Sequence, residues 1–204
     1  MPKRKYAFER NGEKQLEISW GGFWKNTEVR VGGNLLGTIP TQKELLAGKV
    51  FQLPDGSSLK VHLAKTWLSN DLQVLRNDKP LPGSSSDPAT RLLQAYSAIY
   101  FIAGLNIVLG LLALIFRTEF LETLGFGIVS IVVGVVFLVL GFFTQRGSLV
   151  ALIIALALYA LDSLLVLTAG FSTGIFLRIA LIAVMSQGIG AIKDMKKDAL
   201  QPVS

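Results

Sequence analysis

Residues 92–192 form an almost continuously apolar stretch, and this stretch limits how the 204-residue chain can fold more than any other feature. Polar or glycine-rich positions interrupt it at residues 117–122, 145–148 and 169–173. Each segment between interruptions has about 20 to 25 residues, the length that an α-helix needs to cross about 30 Å of hydrocarbon. The pattern therefore predicts four membrane-spanning helices, at residues 88–116, 120–143, 147–169 and 172–193.

The fold class follows from a change in composition near residue 90. The residues before it mix charged, polar and apolar side chains, whereas charges are rare between residues 91 and 192. We predict an α+β membrane protein, in which a small N-terminal antiparallel β-sandwich precedes an antiparallel four-helix transmembrane bundle. The predicted parts are a cytoplasmic β-domain (1–81), a linker (82–90), the transmembrane domain (91–193) and a cytoplasmic basic tail (194–204).

Short segments of the first 80 residues alternate between apolar and polar side chains, as half-buried strands do. The alternation is clearest at residues 16–20, 27–31 and 59–63, and Gly, Asn and Pro between segments predict turns. Residues 1–5 are predicted to be a basic tail. Asp87 before Pro88 predicts the N-cap and first residue of the first long helix.

Three segments within residues 27–82 resemble the β-sandwich of the Fas apoptotic inhibitory molecule family. They are TEVRVGGNLLG, VFQLPDGSSLKVHL and LQVLRNDKPL. The resemblance lies in the order of strands and polar turns. It implies a sandwich domain without catalytic activity, used for protein interaction.

Lys and Arg beside the predicted spans indicate the orientation of the chain. Arg91, Arg146 and the lysines of the tail share one side, whereas Arg117 is on the other side with two glutamates. Because cations are enriched in cytoplasmic loops, we expect both termini to be cytoplasmic.

Small residues form one stripe on each of the first two predicted spans. Folding the hairpin about residue 118 brings Gly110 to Gly127 and Ala103 to Gly134, which predicts close approach of the two backbones. The same register predicts a hydrogen bond between Asn106 and Ser130. The stripes are interpreted as helix packing or, alternatively, as a glycine-lined conduction path. Their members are Ala103, Asn106, Gly110, Gly127, Ser130, Gly134 and Gly141.

Asp162 lies well inside the third predicted span, and Arg178 lies well inside the fourth. Each is eight residues from Gly170, so folding the hairpin there places them at the same depth. An unpaired charge at that depth costs about 2.5–3.5 kcal/mol. We therefore predict an intramembrane ion pair inside the bundle, which either staples the two helices or serves transport or recognition.

An aromatic cluster surrounds the pair Gly21–Gly22. Trp20 precedes the pair, and Phe23 and Trp24 follow it. They form either an aromatic corner of the β-domain core or an exposed loop that contacts headgroups or a partner protein.

Motifs for catalysis, metal binding or nucleic-acid binding are absent from the sequence. The chain has no cysteine and one histidine, His62, on the outward side of a predicted strand. The net charge of +6 includes no arginine-rich block, which argues against nucleic-acid binding. We expect a non-enzymatic membrane protein without cofactors, acting as a scaffold, assembly or regulatory factor through a membrane-protein partner or self-association. The alternative is a small transporter or channel that uses Asp162 and Arg178.

Overall fold

The structure of the chain, a computed structural model, describes residues 1–65, 70–116, 127–168 and 174–200. The chain divides into two compact units, Met1–Thr90 and Arg91–Ser204, which we call the β unit and the helical unit. Two small sheets make up most of the first unit, and long apolar helices make up the described part of the second.

Eight strands form the two sheets of the β unit. They are β1 Lys3–Tyr6, β2 Leu16–Ser19, β3 Thr27–Val31, β4 Asn34–Ile39, β5 Lys49–Gln52, β6 Ser58–Lys65, β7 Asn70–Arg76 and β8 Lys79–Pro80. Strands β1 to β4 form one antiparallel sheet in sequential order, and β5 to β8 form the other. A short helix, α1 Gln42–Ala47, connects the sheets and is capped by the hydroxyl of Thr41, which accepts a hydrogen bond from the Glu44 backbone N–H.

The two sheets contribute to one hydrophobic core. In β6, Leu59, Val61 and Leu63 all point into this core and are at most 1 % exposed. In the other sheet, Ile18 and Val29 are fully buried and lie opposite each other in register. The alternation predicted for these segments is therefore confirmed, and it places every second residue in the shared core.

The prediction of a basic tail at residues 1–5 is wrong, because Lys3–Tyr6 form β1. Lys3 and Lys5 are exposed, so no apolar alternation marks the strand in the sequence. It is held by backbone pairing with β2 and by ion pairs from both lysines to Glu17, at 3.5 and 3.3 Å. The hydrogen bond from Lys5, together with the charge of Lys3, lowers the pKa of Glu17 below its ordinary value.

Residues 82–87, predicted as linker from composition, make turns that are hydrogen-bonded to β7. The hydroxyl of Ser85 donates to the carbonyl oxygen of Leu72 at 3.0 Å. Asp87 is buried, and its carboxylate accepts from the Ala89 backbone N–H at 3.2 Å and from the Thr90 hydroxyl at 3.0 Å. Asp87 is therefore the N-cap of the following helix, as predicted.

Four described helices are long and apolar enough to cross a membrane. Their bounds are α2 Pro88–Phe116, α3 Ile128–Gln145, α4 Leu149–Thr168 and α5 Ile175–Leu200. Helix α2 has the predicted bounds, whereas α5 continues seven residues beyond the predicted end at Lys193 into the predicted tail. The predicted start of the second span at residue 120, the loop with Arg117, and residues 169–173 and 201–204 lie outside the described residues.

Helices α2 and α3 approach closely at the predicted glycines. A Cβ atom on Gly110 would lie 2.8 Å from the carbonyl oxygen of Gly127, and one on Gly134 would lie 2.9 Å from that of Ala103. Real Cβ atoms essentially never come so near, so only glycine permits this separation of the two backbones. Both contacts are the pairs that folding the hairpin about residue 118 brings together.

The polar members of the stripe lie at the same interface. The side-chain amide of Asn106 donates to the carbonyl oxygen of Ile102 at 2.9 Å, and Ser130 is buried. The hydrogen bond between Asn106 and Ser130 stays a prediction. Further along α3, a Cβ on Gly141 would lie 2.8 Å from the ring of Tyr100, so this glycine accommodates an aromatic side chain of α2.

Candidate functional site

The first candidate site is the loop between β2 and β3, residues 20–26, which we call the aromatic loop. The rings of Trp20 and Trp24 stack with their centroids 4.4 Å apart and their planes inclined by 16°. Both side chains are half-buried and pack against the core of the β unit. The two tryptophans therefore form an aromatic corner of the β-domain core, which is the first of the two interpretations drawn from the sequence.

Phe23, in contrast, is 87 % exposed, and this exposure is what the second interpretation requires. Its backbone φ is +54°, and those of Trp24 and Asn26 are +61° and +48°. Left-handed conformations of residues other than glycine cost of order 1–3 kcal/mol each and occur preferentially at functional sites. The loop is closed by hydrogen bonds between the backbones of Gly21 and Lys25 and of Lys25 and Gly22. The strained turn thus holds one aromatic ring away from the core.

An open hollow of about 370 Å³ lies beside the aromatic loop. Pro2, Gln42 and Asn70 line it together with the residues of the loop. The lining is mainly apolar and includes Gln42 and Asn70, whose side chains carry amides. A hollow of this composition suits an apolar side chain of a partner whose backbone can hydrogen-bond to the amides.

The second candidate site is on α4 and α5, where the structure brings Asp162 and Arg178 together. Arg178 Nη1 donates to Asp162 Oδ2 at 2.5 Å and to the hydroxyl of Ser163 at 3.2 Å. Ser163 in turn donates to the carbonyl oxygen of Tyr159 at 2.7 Å. The guanidinium lies 5.7 Å from the centroid of the Tyr159 ring. Three side chains of one face of α4 therefore hold the arginine.

The predicted position of this pair inside the bundle is wrong for Asp162. Its side chain is 56 % exposed, whereas that of Arg178 is 23 % exposed. The reason is the phase of α4, whose buried residues Ala155, Tyr159 and Ser163 recur every four positions. Asp162 precedes Ser163 by one residue, which turns it by about 100° from that residue's direction. The carboxylate therefore lies at the edge of the buried face.

A second ion pair in the helical unit was not anticipated from the sequence. Arg91 Nη1 in α2 lies 3.7 Å from Asp194 Oδ2 in α5, with Asp194 in the region predicted as tail. The sequence did contain a signal that the last helix continues to Asp194 and beyond. Residues 194–200 are mostly good helix formers, and no Gly or Pro separates them from the last predicted span. This pair joins the first and last described helices near the two ends of the unit's sequence.

Groups suited to catalysis or metal binding are not brought together in the described residues. His62 lies in β6, opposite Gln73 of β7 in register. In residues 1–65, 70–116, 127–168 and 174–200, no cluster of three or more His, Cys, Asp or Glu could hold a metal ion.

Comparisons with protein families, with curated proteins and with solved structures find no match to this chain. The function is therefore argued from the two candidate sites.

Proposed function

We propose that this chain is an integral membrane protein whose β unit binds a protein partner through the aromatic loop. In this proposal it serves as a scaffold, assembly or regulatory factor of a membrane complex. The observation that carries the proposal is Phe23, which is 87 % exposed in a strained loop supported by two stacked tryptophans. Aromatic side chains held in this way are typical anchors of protein interfaces.

The membrane part of the proposal is four spanning helices in an antiparallel bundle with both termini in the cytoplasm. Support comes from the length and apolar composition of α2 to α5. The orientation is supported by the Lys/Arg bias, since Arg91, Arg146, Lys193, Lys196 and Lys197 all belong to the side of the termini.

The interaction part of the proposal treats the β unit as a sandwich of two four-stranded sheets. The shared core supports this arrangement. The resemblance of residues 27–82 to the Fas apoptotic inhibitory molecule family points to the same role, a domain that binds proteins and has no catalytic site. The aromatic loop and its adjacent hollow would then be the recognition surface.

The transporter alternative receives less support from the ion pair. A proton or cation path through Asp162 requires a carboxylate that is free to change partners. Asp162 is already hydrogen-bonded to Arg178 at 2.5 Å, and its side chain is 56 % exposed at the edge of the buried face of α4. Among the described residues of α2 to α5, the other carboxylates are Asp194 and Asp198, both near the C-terminal end of α5.

Site-specific photocrosslinking in intact cells tests the proposal. A benzophenone amino acid replaces Phe23 in the full chain, and the control carries it at Leu35, which is 56 % exposed in β4. We expect a discrete protein adduct from position 23 and none from position 35. Adducts from neither position, or equally from both, would contradict a partner site at the aromatic loop. Adducts with lipid alone from position 23 would assign the loop to the bilayer surface instead.

A further inference from the structure

Helix α4 carries an exposed apolar seam next to Asp162. Its members follow each other at spacings of four, three and four residues, and each is 40–60 % exposed. They are Ile154, Leu158, Leu161 and Leu165. This alternation of three and four residues is the spacing by which two helices pack through knobs and holes.

The ion pair at the edge of this seam has unused hydrogen-bonding capacity. Asp162 accepts through Oδ2, and Oδ1 receives no hydrogen bond from the part of the chain that the structure describes. Arg178 donates through Nη1, whereas its Nε and Nη2 donate to none of the described residues. The patch therefore offers both an acceptor and donors, directly beside a leucine seam.

Lipid would not satisfy these groups. Asp162 is six residues from the end of α4 at Thr168, which corresponds to about 9 Å along the helix axis. Arg178 is held by Asp162 and Ser163, so its guanidinium is not free to extend toward the headgroups without breaking those hydrogen bonds. Ionisable groups inside a membrane almost always face protein or water rather than acyl chains. A covering partner with a matching donor and acceptor satisfies the pair.

We propose that this partner is a second copy of the chain, packed seam to seam about a two-fold axis. Asp162 of each copy then accepts a hydrogen bond from Arg178 of the other. A two-fold interface requires a patch that complements itself, and a patch with one acidic and one basic residue meets that condition. This inference rests on the proposed insertion of α4 and α5 in a membrane.

Cysteine crosslinking tests the seam, because the chain contains no cysteine of its own. Leu158→Cys lies one helical turn from Asp162, on the seam. The matched control is Ile153→Cys, which is 47 % exposed but nine residues, or two and a half turns, from Asp162 and thus on the opposite side of α4. In native membranes we expect a disulfide-linked dimer from Leu158→Cys and little from Ile153→Cys. Equal yields, or no dimer at Leu158, would overturn the proposal.

A charge exchange tests the role of the ion pair. The double variant Asp162→Arg/Arg178→Asp keeps a pair within each chain and also between two identical copies. Mixed with the natural chain, it opposes Asp to Asp and Arg to Arg across the interface, and like-charge contacts of this kind strongly disfavour association. Using the Leu158→Cys background, we expect each version to crosslink with itself, and mixed dimers to be reduced at least about tenfold.

Free mixing of the two versions would overturn the reciprocal pairing. If the double variant fails to accumulate in membranes, the comparison of Leu158→Cys with Ile153→Cys still decides the dimer. Alkaline extraction separates this inference from the proposed function. Chain that stays in the membrane without a Leu158 dimer contradicts the second copy alone, whereas chain that is extracted contradicts the membrane insertion itself.

Discussion

The β unit buries most of its large apolar side chains, whereas the helical unit leaves many of them exposed. In the β unit, Leu16 and Leu59 are fully buried, and an exposed aromatic such as Phe23 is an exception. In the helical unit, alanines such as Ala95 and Ala103 are fully buried, whereas many leucines, such as Leu164, are exposed. Water drives large apolar side chains inward, but lipid does not, and helices in lipid associate through small residues. This contrast agrees with the proposed insertion of the helical unit in a membrane.

Removing a large apolar side chain should therefore have very different effects in the two units. Leu59→Ala leaves a cavity in the shared core, and we expect the free energy of unfolding of the β unit to fall by about 2–5 kcal/mol. Leu164→Ala removes a side chain that is 56 % exposed on α4, and we expect the free energy of unfolding of the helical unit to change by less than about 0.5 kcal/mol. Tryptophan fluorescence of the full chain follows the β unit, because all three tryptophans precede residue 90, and far-ultraviolet circular dichroism follows the helices. Similar losses in both variants would break the comparison.

Adding a charge should have the larger effect in the helical unit and the smaller effect in the β unit. Val135→Lys on the exposed side of α3 should make membrane insertion less favourable by about 2.5–3.5 kcal/mol. Val50→Lys, at a similarly exposed position in β5, should change stability by less than about 0.5 kcal/mol. The measurement is the fraction of full-length chain that resists alkaline extraction. If Val135→Lys is retained as well as the natural chain, α3 does not face lipid at that position.

The glycine contacts between α2 and α3 give a smaller expected effect. Gly134→Ala would place a Cβ 2.9 Å from the Ala103 carbonyl oxygen, and we expect destabilisation of about 1–3 kcal/mol from overpacking. Gly104→Ala adds the same methyl group where nothing lies within 4 Å, and should stabilise slightly through helix propensity. Thermal unfolding of the helical unit in a mild detergent compares the two. If Gly134→Ala is as stable as the natural chain, the backbones of α2 and α3 can move apart without loss of stability.

The smallest expected effect is a pH dependence confined to the β unit. Hydrogen bonds from Ser57, with the charge of Arg76, hold the pKa of Asp55 below its ordinary value of 3.8. Because the folded-state pKa is depressed, this contribution to stability is fully present above pH of about 4 and is lost as the pH falls through the lower folded value. Asp55→Asn should flatten the acid limb of the fluorescence-detected stability curve. An unchanged acid limb would show that Asp55 does not contribute.

Prediction from sequence succeeded where short-range rules operate. Asp87 and Pro88 set the start of α2, and the spacing of glycines matched Gly110 with Gly127 and Gly134 with Ala103. It was less successful where a segment depends on distant partners. Lys3–Tyr6 became a strand because β2 lies beside it, although its own residues carry no apolar alternation.

The candidate sites divide in the same way. Sequence pattern alone singled out Asp162 with Arg178, and an aromatic cluster with two open readings. The structure separated Phe23 from the two tryptophans through left-handed backbone conformations that no residue pattern predicted. It also placed Asp162 at the edge of the buried face of α4, beside an exposed seam.

The amino-acid sequence by itself determined the division into a β unit and four apolar helices, the register of α2 against α3, and the pairing of Asp162 with Arg178. These properties depend on segment length, capping and residue spacing, which are local or act along one hairpin. Only the tertiary structure decided which way Phe23 and Asp162 face. Exposure depends on which surfaces the neighbouring elements cover, and that is set by the packing of residues far apart in the chain.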